Sequence, residues 1–190
     1  MKSPWNRNES SWMPANPAPI NDMAAIVIDA CVARAAGGEG ATHPVSIHCR
    51  DFLVEMQKLT HNLVRTDDIW VEWKNHKSKF AMVWLNSMTA KRRIHKITVA
   101  PDVDLRAHAS GLEESAAAAM LKDCHLVEAA KAADQVVVSQ EKVARHLFAN
   151  AAHSVGWLKM VAWVDPTEEA EKPIDWLKKG ATAEKPRCFS

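Results

Sequence analysis

Two short apolar runs constrain this chain more than any other feature. Ile26-Val27-Ile28 and Val136-Val137-Val138 contain no polar residue, and Asp29 follows the first directly while Ser139 follows the second. A continuous run of branched apolar residues reads as a strand buried on both faces, the pattern of a parallel sheet. The strands expected are Ala25–Ile28, Leu63–Arg65, Gln135–Ser139 and Met160–Val164, with a weak alternation from Ile94 to Val99 closed by Pro101. Helical periodicities lie between them. Strands alternating with helices predict an α/β fold: a three-layer sandwich with a mostly parallel central sheet and right-handed crossovers. Asp29 would then stand at the carboxyl end of a strand, where open α/β sheets bind their ligands.

The helices are read from period and caps. Ser46–His61 carries Ile47, Phe52, Leu53, Met56 and Leu59 near one face. Thr66 is an N-cap, with Asp67 and Asp68 in the first turn, for one helix that carries Ile69, Trp73, Phe80 and Trp84 at helical spacing. Ser110 with Glu113 forms a capping-box pattern opening a helix to Ala119; a second helix from about Lys122 to Ala133 has Asp123 in its first turn. Glu141 opens a helix bearing Val143, Ala144, Leu147 and Phe148. Residues 1–22 hold four prolines and read as an irregular arm whose Trp5 and Trp12 dock on the body or on a partner. The domain spans 23–165, and 166–190 is a C-terminal tail marked only by Ile174, Trp176 and Leu177.

A chain of 190 residues, 47% hydrophobic, suits one core. Net charge is +1, so no global field draws it to nucleic acid and any attraction is local. The four cysteines form no C-x-x-C pair, which argues for reduced thiols and against a zinc site. No apolar segment has the length of a membrane span or a secretory core, so the expected location is cytoplasmic, with no membrane partner. No nucleophile elbow appears, leaving covalent catalysis without support. His48 and His61 read as surface residues, His125 as a buried helix histidine, and Trp70, Trp73 and Trp84 as core rather than base-stacking residues.

Four acids recur at informative positions: Asp29, Glu72, Asp123 and Glu141. Taken singly, each reads as a cap, a first-turn acid or a solvated helix residue. Brought together, they are oxygen donors for a hard divalent cation such as Mg²⁺ or Mn²⁺, because clustered carboxylates are costly unless a cation neutralises them. One or two such ions activate water for attack on phosphorus.

Four segments in order, AIVIDACV, LVRTDDIWVEW, KDCHLVEAAKAAD and QVVVSQEKVARHLF, resemble those of the PIN domain, the nuclease fold named after the PilT N-terminus. The resemblance covers roughly residues 24–165. It implies that Asp29, Glu72 and Asp123 are core metal ligands, that Glu141 is a fourth acid acting through water, and that Ser139 is a hydroxyl supporting them. The fourth acid in the family is more usually aspartate, so Glu141 adds a methylene and implies altered activity. By this resemblance the chain is a metal-dependent endoribonuclease, of the kind that serves as a toxin held by an antitoxin or as an immune-module effector, with a homodimer open. The alternative is a catalytically weak or inactive scaffold of the same fold that binds a protein partner.

Between Val71 and Ala100 the only acid is Glu72, against Lys74, Lys77, Lys79, Lys91, Arg92, Arg93 and Lys96. Lys74, Lys77, Lys91, Arg92 and Arg93 are the candidate RNA-phosphate contacts. The same block serves equally as a solvated face or as a contact for an acidic protein.

Overall fold

The structure, a computed structural model, describes residues 23–189. The expected arm at 1–22, with Trp5 and Trp12, lies outside them. Among the described residues, five strands form one all-parallel sheet: β1 (Ala25–Ile28), β2 (Asn62–Arg65), β3 (Ile94–Lys96), β4 (Val136–Val138) and β5 (Ala162–Val164), in the order β3-β2-β1-β4-β5. Every residue of β1, β4 and β5 is buried, as the apolar runs require. Fully burying a side chain the size of Ile26 or Ile28 stabilises the fold by about 1.5–3 kcal/mol.

Helices α1 (Ala30–Ala35), α2 (Pro44–Lys58), α3 (Asp67–His76) and α4 (Lys79–Ala90) occupy the crossovers from β1 to β2 and from β2 to β3. Helices α5 (Val103–Ser110), α6 (Glu114–Lys131) and α7 (Lys142–Ala151) occupy those from β3 to β4 and from β4 to β5. Contacts of α2 with α1 and α4, and of α6 with α5 and α7, make two helical layers around the sheet. The expected α/β sandwich is therefore what forms.

Two helix boundaries differ from expectation, each for a local reason. The long Trp-bearing helix is two helices. Ser78 caps the second by accepting from Ala81 N–H at 3.1 Å, and its hydroxyl donates to Ala36 O at 2.6 Å. That pulls the chain out of helical geometry while keeping the apolar period in phase, so Trp73 and Trp84 still stack at 5.9 Å. Conversely, the two short helices expected around residues 110–133 are one. Ser110 ends α5, Glu113 caps α6 by accepting from Ser115 N–H, and the alanine run has no reason to stop before the buried Met120. Asp123 lies in mid-helix, where the dipole gives it no help. Buried Glu128 ties α6 to α5 by taking both arms of the Arg106 fork at 2.8 Å.

Residues beyond 165 add to the same core. Helix α8 (Pro173–Lys178) packs on α2, and Trp176 and Leu177 are buried. Phe189 packs on Trp163 and Phe148 while Cys188 bridges antiparallel to Ala162, which covers the outer edge of β5. His61, expected on the surface, is buried: Nδ1 accepts from Ala24 N–H and Nε2 faces Leu177 O, each at 3.0 Å. No helix of the described residues is long and apolar enough to cross a membrane.

Candidate metal centre

Strand order fixes where a site can be. From central β1 the chain crosses to β2 on one side, and from neighbouring β4 it crosses to β5 on the other. The loops after β1 and β4 therefore part to opposite layers, opening a crevice at the carboxyl ends of the two strands. Asp29 leaves β1 into this crevice; Ser139 and Glu141 leave β4 into it.

Asp29 is held from several directions. Its Oδ1 accepts from Cys31 N–H at 3.0 Å as the N-cap of α1, and its Oδ2 accepts from Ser139 Oγ at 2.6 Å and Cys31 Sγ at 3.1 Å. The peptide before it is pinned by Trp73, whose indole N–H donates to Ile28 O at 2.8 Å. Ser139 Oγ in turn accepts from Glu141 N–H at 3.1 Å, which fixes the start of α7. Burial, reinforced by the Asp29 charge, pushes the Cys31 thiol far above its ordinary range, so it stays an S–H donor. It is a prop for Asp29 rather than a thiolate.

The remaining groups arrive on helices. Helix α6 supplies Lys122, Asp123 and His125; α3 supplies Glu72 and His76; α1 supplies Arg34. Lys122 Nζ stands 3.5 Å from Asp123 Oδ1 and 3.9 Å from Glu141 Oε1. Partial burial works against its charge, but Asp123, Glu141 and Asp29 together hold the ammonium above the usual lysine value. Burial pushes the Asp123 carboxyl up to about 6; Lys122 and His125 oppose this, while the negative charges of Asp29 and Glu141 add to it. His125 Nδ1 donates to Lys122 O at 2.9 Å and Nε2 lies 3.3 Å from Glu72 Oε2. That second contact lacks the angle of a hydrogen bond and is an ion pair when the ring is protonated. Burial disfavours the imidazolium, yet two facing acceptors outweigh it and raise the pKa.

All four predicted acids thus belong to this region, but not equally. The tightest donor group is Asp29, Cys31 and Glu141, with ligand atoms within 4.8 Å of one another. Asp123 joins through Lys122, and Glu72 lines the cleft while engaged with His125. The cleft encloses about 110 Å³ between Asp29, Glu72, Lys122 and Glu141, with Arg34 and His76 at its wall. A larger cavity of about 260 Å³ lies beside α8; of its three acids, Asp51 and Glu169 are paired with Arg50 and His48, and Asp175 stands in the first turn of α8.

The basic residues divide. Lys74 and Lys77 close α3, whose Glu72 and His76 line the cleft. Lys91, Arg92 and Arg93 precede β3, and Arg93 donates to Thr60 O at the amino end of β2. In a parallel sheet that is the far end of the strands, about 13 Å from the carboxylates. These three residues are not brought to the cleft. The basic groups that do share its end of the sheet are Arg65 and Lys96, held near Asp67, with Arg65 stacked 4.1 Å over the half-exposed ring of Trp70. Sequence reasoning missed Cys31 and Arg34 because α1, only six residues long, leaves no periodic trace. It missed Lys122 although that residue adjoins Asp123.

Comparison of the chain with protein-family models, curated proteins and solved structures gives no match.

Proposed function

We propose that this chain is a divalent-metal-dependent ribonuclease of PIN type, hydrolysing RNA phosphodiester bonds in the cleft between β1 and β4. One observation carries the reading: Asp29, Asp123 and Glu141, from three separate elements, gather around one cationic group at the strand-order switch point. The donor set fits Mg²⁺ or Mn²⁺, since it offers carboxylate oxygens and keeps the neighbouring thiol protonated. Asp29, Asp123 and Glu141 would hold the ion, with Glu72 beside them. A bound ion would supply an acidified water and a Lewis acid for the phosphoryl oxygen.

The chain's own residues do the rest. Ser139 and Cys31 orient Asp29, and Trp73 fixes the peptide that carries it. Arg34 and His76 flank the cleft where phosphates adjoining the scissile bond would lie. RNA rather than DNA is favoured by the resemblance of the four segments.

A second reading has its own support. Lys122 already neutralises part of the acid cluster, and α3 and α4 expose Val71, Met82 and Val83. Both features suit a scaffold of low activity that docks a protein, such as an antitoxin. Cleavage of labelled RNA with Mn²⁺ by the wild type, beside Asp29→Asn and Asp123→Asn, separates the two. Product from the wild type alone is expected; equal product from all three removes the nuclease reading. Stabilisation by Mn²⁺ larger in the wild type than in either variant would accompany it.

A further inference from the structure

We propose that Arg65, Lys96 and Lys74 form a track for RNA phosphates, leading the strand from the cleft towards the β3 edge of the sheet, with Trp70 as the plate that fixes the Arg65 guanidinium. This deepens the RNA-hydrolysing reading above and rests on it.

Register gives the first support. Arg65 ends β2, Lys96 ends β3, and the two are partners in the parallel ladder. Partners on neighbouring strands point to the same face, with backbones about 5 Å apart. Two cations therefore stand side by side, at the same end of the sheet at which Asp29 follows β1. Like charges so placed repel each other unless an anion lies between them. Asp67 is the acid in contact with both, at 3.7 Å from Arg65 and 3.4 Å from Lys96. Both separations exceed the usual hydrogen-bond length of about 2.7–3.2 Å. The Asp67 side chain is 76% exposed, so water screens its charge. With Lys74 close by, the group keeps a surplus of positive charge.

The hold on Arg65 is the second support. Its guanidinium lies 4.1 Å over the Trp70 ring, and Lys74 Nζ lies 5.6 Å from the same ring. Its Nε is buried and has no hydrogen-bond partner among the described residues, an arrangement that costs stability. Stacking thus fixes the plane of the fork without satisfying it. With Nε covered, contact with a ligand falls to the two terminal nitrogens, which can grip two oxygens of one phosphate. Trp70 is engaged by cations, so the group reads charge rather than the identity of a base.

Distance agrees. From β1 to β3 is two strand spacings, about 10 Å. Phosphates of one stacked strand recur about every 3.4 Å, so the track lies about three nucleotides from the carboxylates. A strand seated in the cleft reaches it without leaving the carboxyl end of the sheet.

The test reads binding rather than turnover. Labelled oligouridylate and oligoadenylate are titrated over a range of salt concentrations into the full chain carrying Asp29→Asn. Adding Arg65→Gln or Lys96→Gln should lower the salt slope by about one each and weaken both oligonucleotides by the same factor. Arg65→Lys keeps the charge and should keep the slope, and Lys91→Gln at the far end of the sheet should leave it unchanged. Circular dichroism verifies folding; Lys96 is exposed at the sheet edge, so Lys96→Gln decides the matter even if Arg65→Gln does not fold. An unchanged slope in the Arg65 and Lys96 variants overturns the track. So does a slope lowered as much by Lys91→Gln, or a loss confined to one oligonucleotide, which would mean base reading. Labelled polyglutamate is titrated in parallel; if these variants lose its binding and not that of RNA, the surface belongs to an acidic protein and the track is overturned. Any of these results beside Mn²⁺-dependent cleavage by the wild type leaves the nuclease reading standing. Absence of RNA binding by every protein, the wild type included, overturns that reading and this inference together.

Discussion

Ser139 Oγ donates to Asp29 Oδ2 across 2.6 Å, joining two residues 110 positions apart in the chain. The bond links the loop after β4 to the loop after β1, the two segments that bound the cleft. Ser139 is fully buried, so water does not replace its hydroxyl when it is removed. Ser139→Ala should cost about 1–3 kcal/mol, since Asp29 loses a donor and Glu141 N–H loses its acceptor. Mn²⁺ affinity should fall about 10–100-fold, as it does when groups orienting a metal ligand are lost. Urea unfolding gives the first quantity and calorimetry the second. Unchanged affinity would show that Asp29 needs no such support.

How much of this was readable in the sequence follows from the range of each signal. Continuous apolar runs show β1 and β4 because strands buried on both faces tolerate nothing else. Asp29 and Ser139 are visible as the first polar residues after them. The break at Ser78 is hidden because the two helices keep one apolar phase across it. Joining Asp123 to Asp29 is beyond periodicity, since α6 runs unbroken from Glu114 and shows its buried face, not which end of the sheet that face meets. The same blindness explains Lys91, Arg92 and Arg93. Proximity in sequence to Glu72 says nothing about which end of a parallel sheet a charge occupies.

Acidity should weaken the site through Asp123. Its folded pKa of about 6 lies above the ordinary 3.8, so the folded state binds this proton more tightly than the unfolded chain does. Between these two values the native protein carries the extra proton, and the contribution of Asp123 to stability falls as pH rises through the window. Metal affinity runs the other way, because the ion needs the carboxylate. Mn²⁺ affinity should climb about tenfold per pH unit below pH 6 and flatten above it. Calorimetry at a series of pH values in the wild type and Asp123→Asn tests this. A slope that survives in the variant assigns the proton elsewhere.

His125 should titrate above 6.5, because Lys122 O and Glu72 face its two ring nitrogens. The folded pKa is raised, so the stability from this pair is fully present below pH 6.5 and is lost as pH rises through the folded value. Imidazole resonances followed by nuclear magnetic resonance report the titration directly. Glu72→Gln should move the His125 midpoint down towards its ordinary value. No movement would mean that Glu72 is not what holds the imidazolium.

Placement in the sheet predicts which cations meet RNA. Arg34 lies at the cleft wall beside Asp29, whereas Lys91 and Arg92 lie beyond the opposite strand ends. Substituting a phosphate-contacting cation lowers the salt slope of binding by about one and weakens all sequences alike. In an Asp29→Asn background that prevents turnover, Arg34→Ala should show that lowered slope. The Lys91→Ala/Arg92→Ala pair should change RNA affinity less than Arg34→Ala alone, although it removes one more charge. Fluorescence anisotropy of labelled RNA over a range of salt concentrations makes the comparison. A larger loss in the double variant would move the RNA path to the far end of the sheet and detach it from the carboxylates.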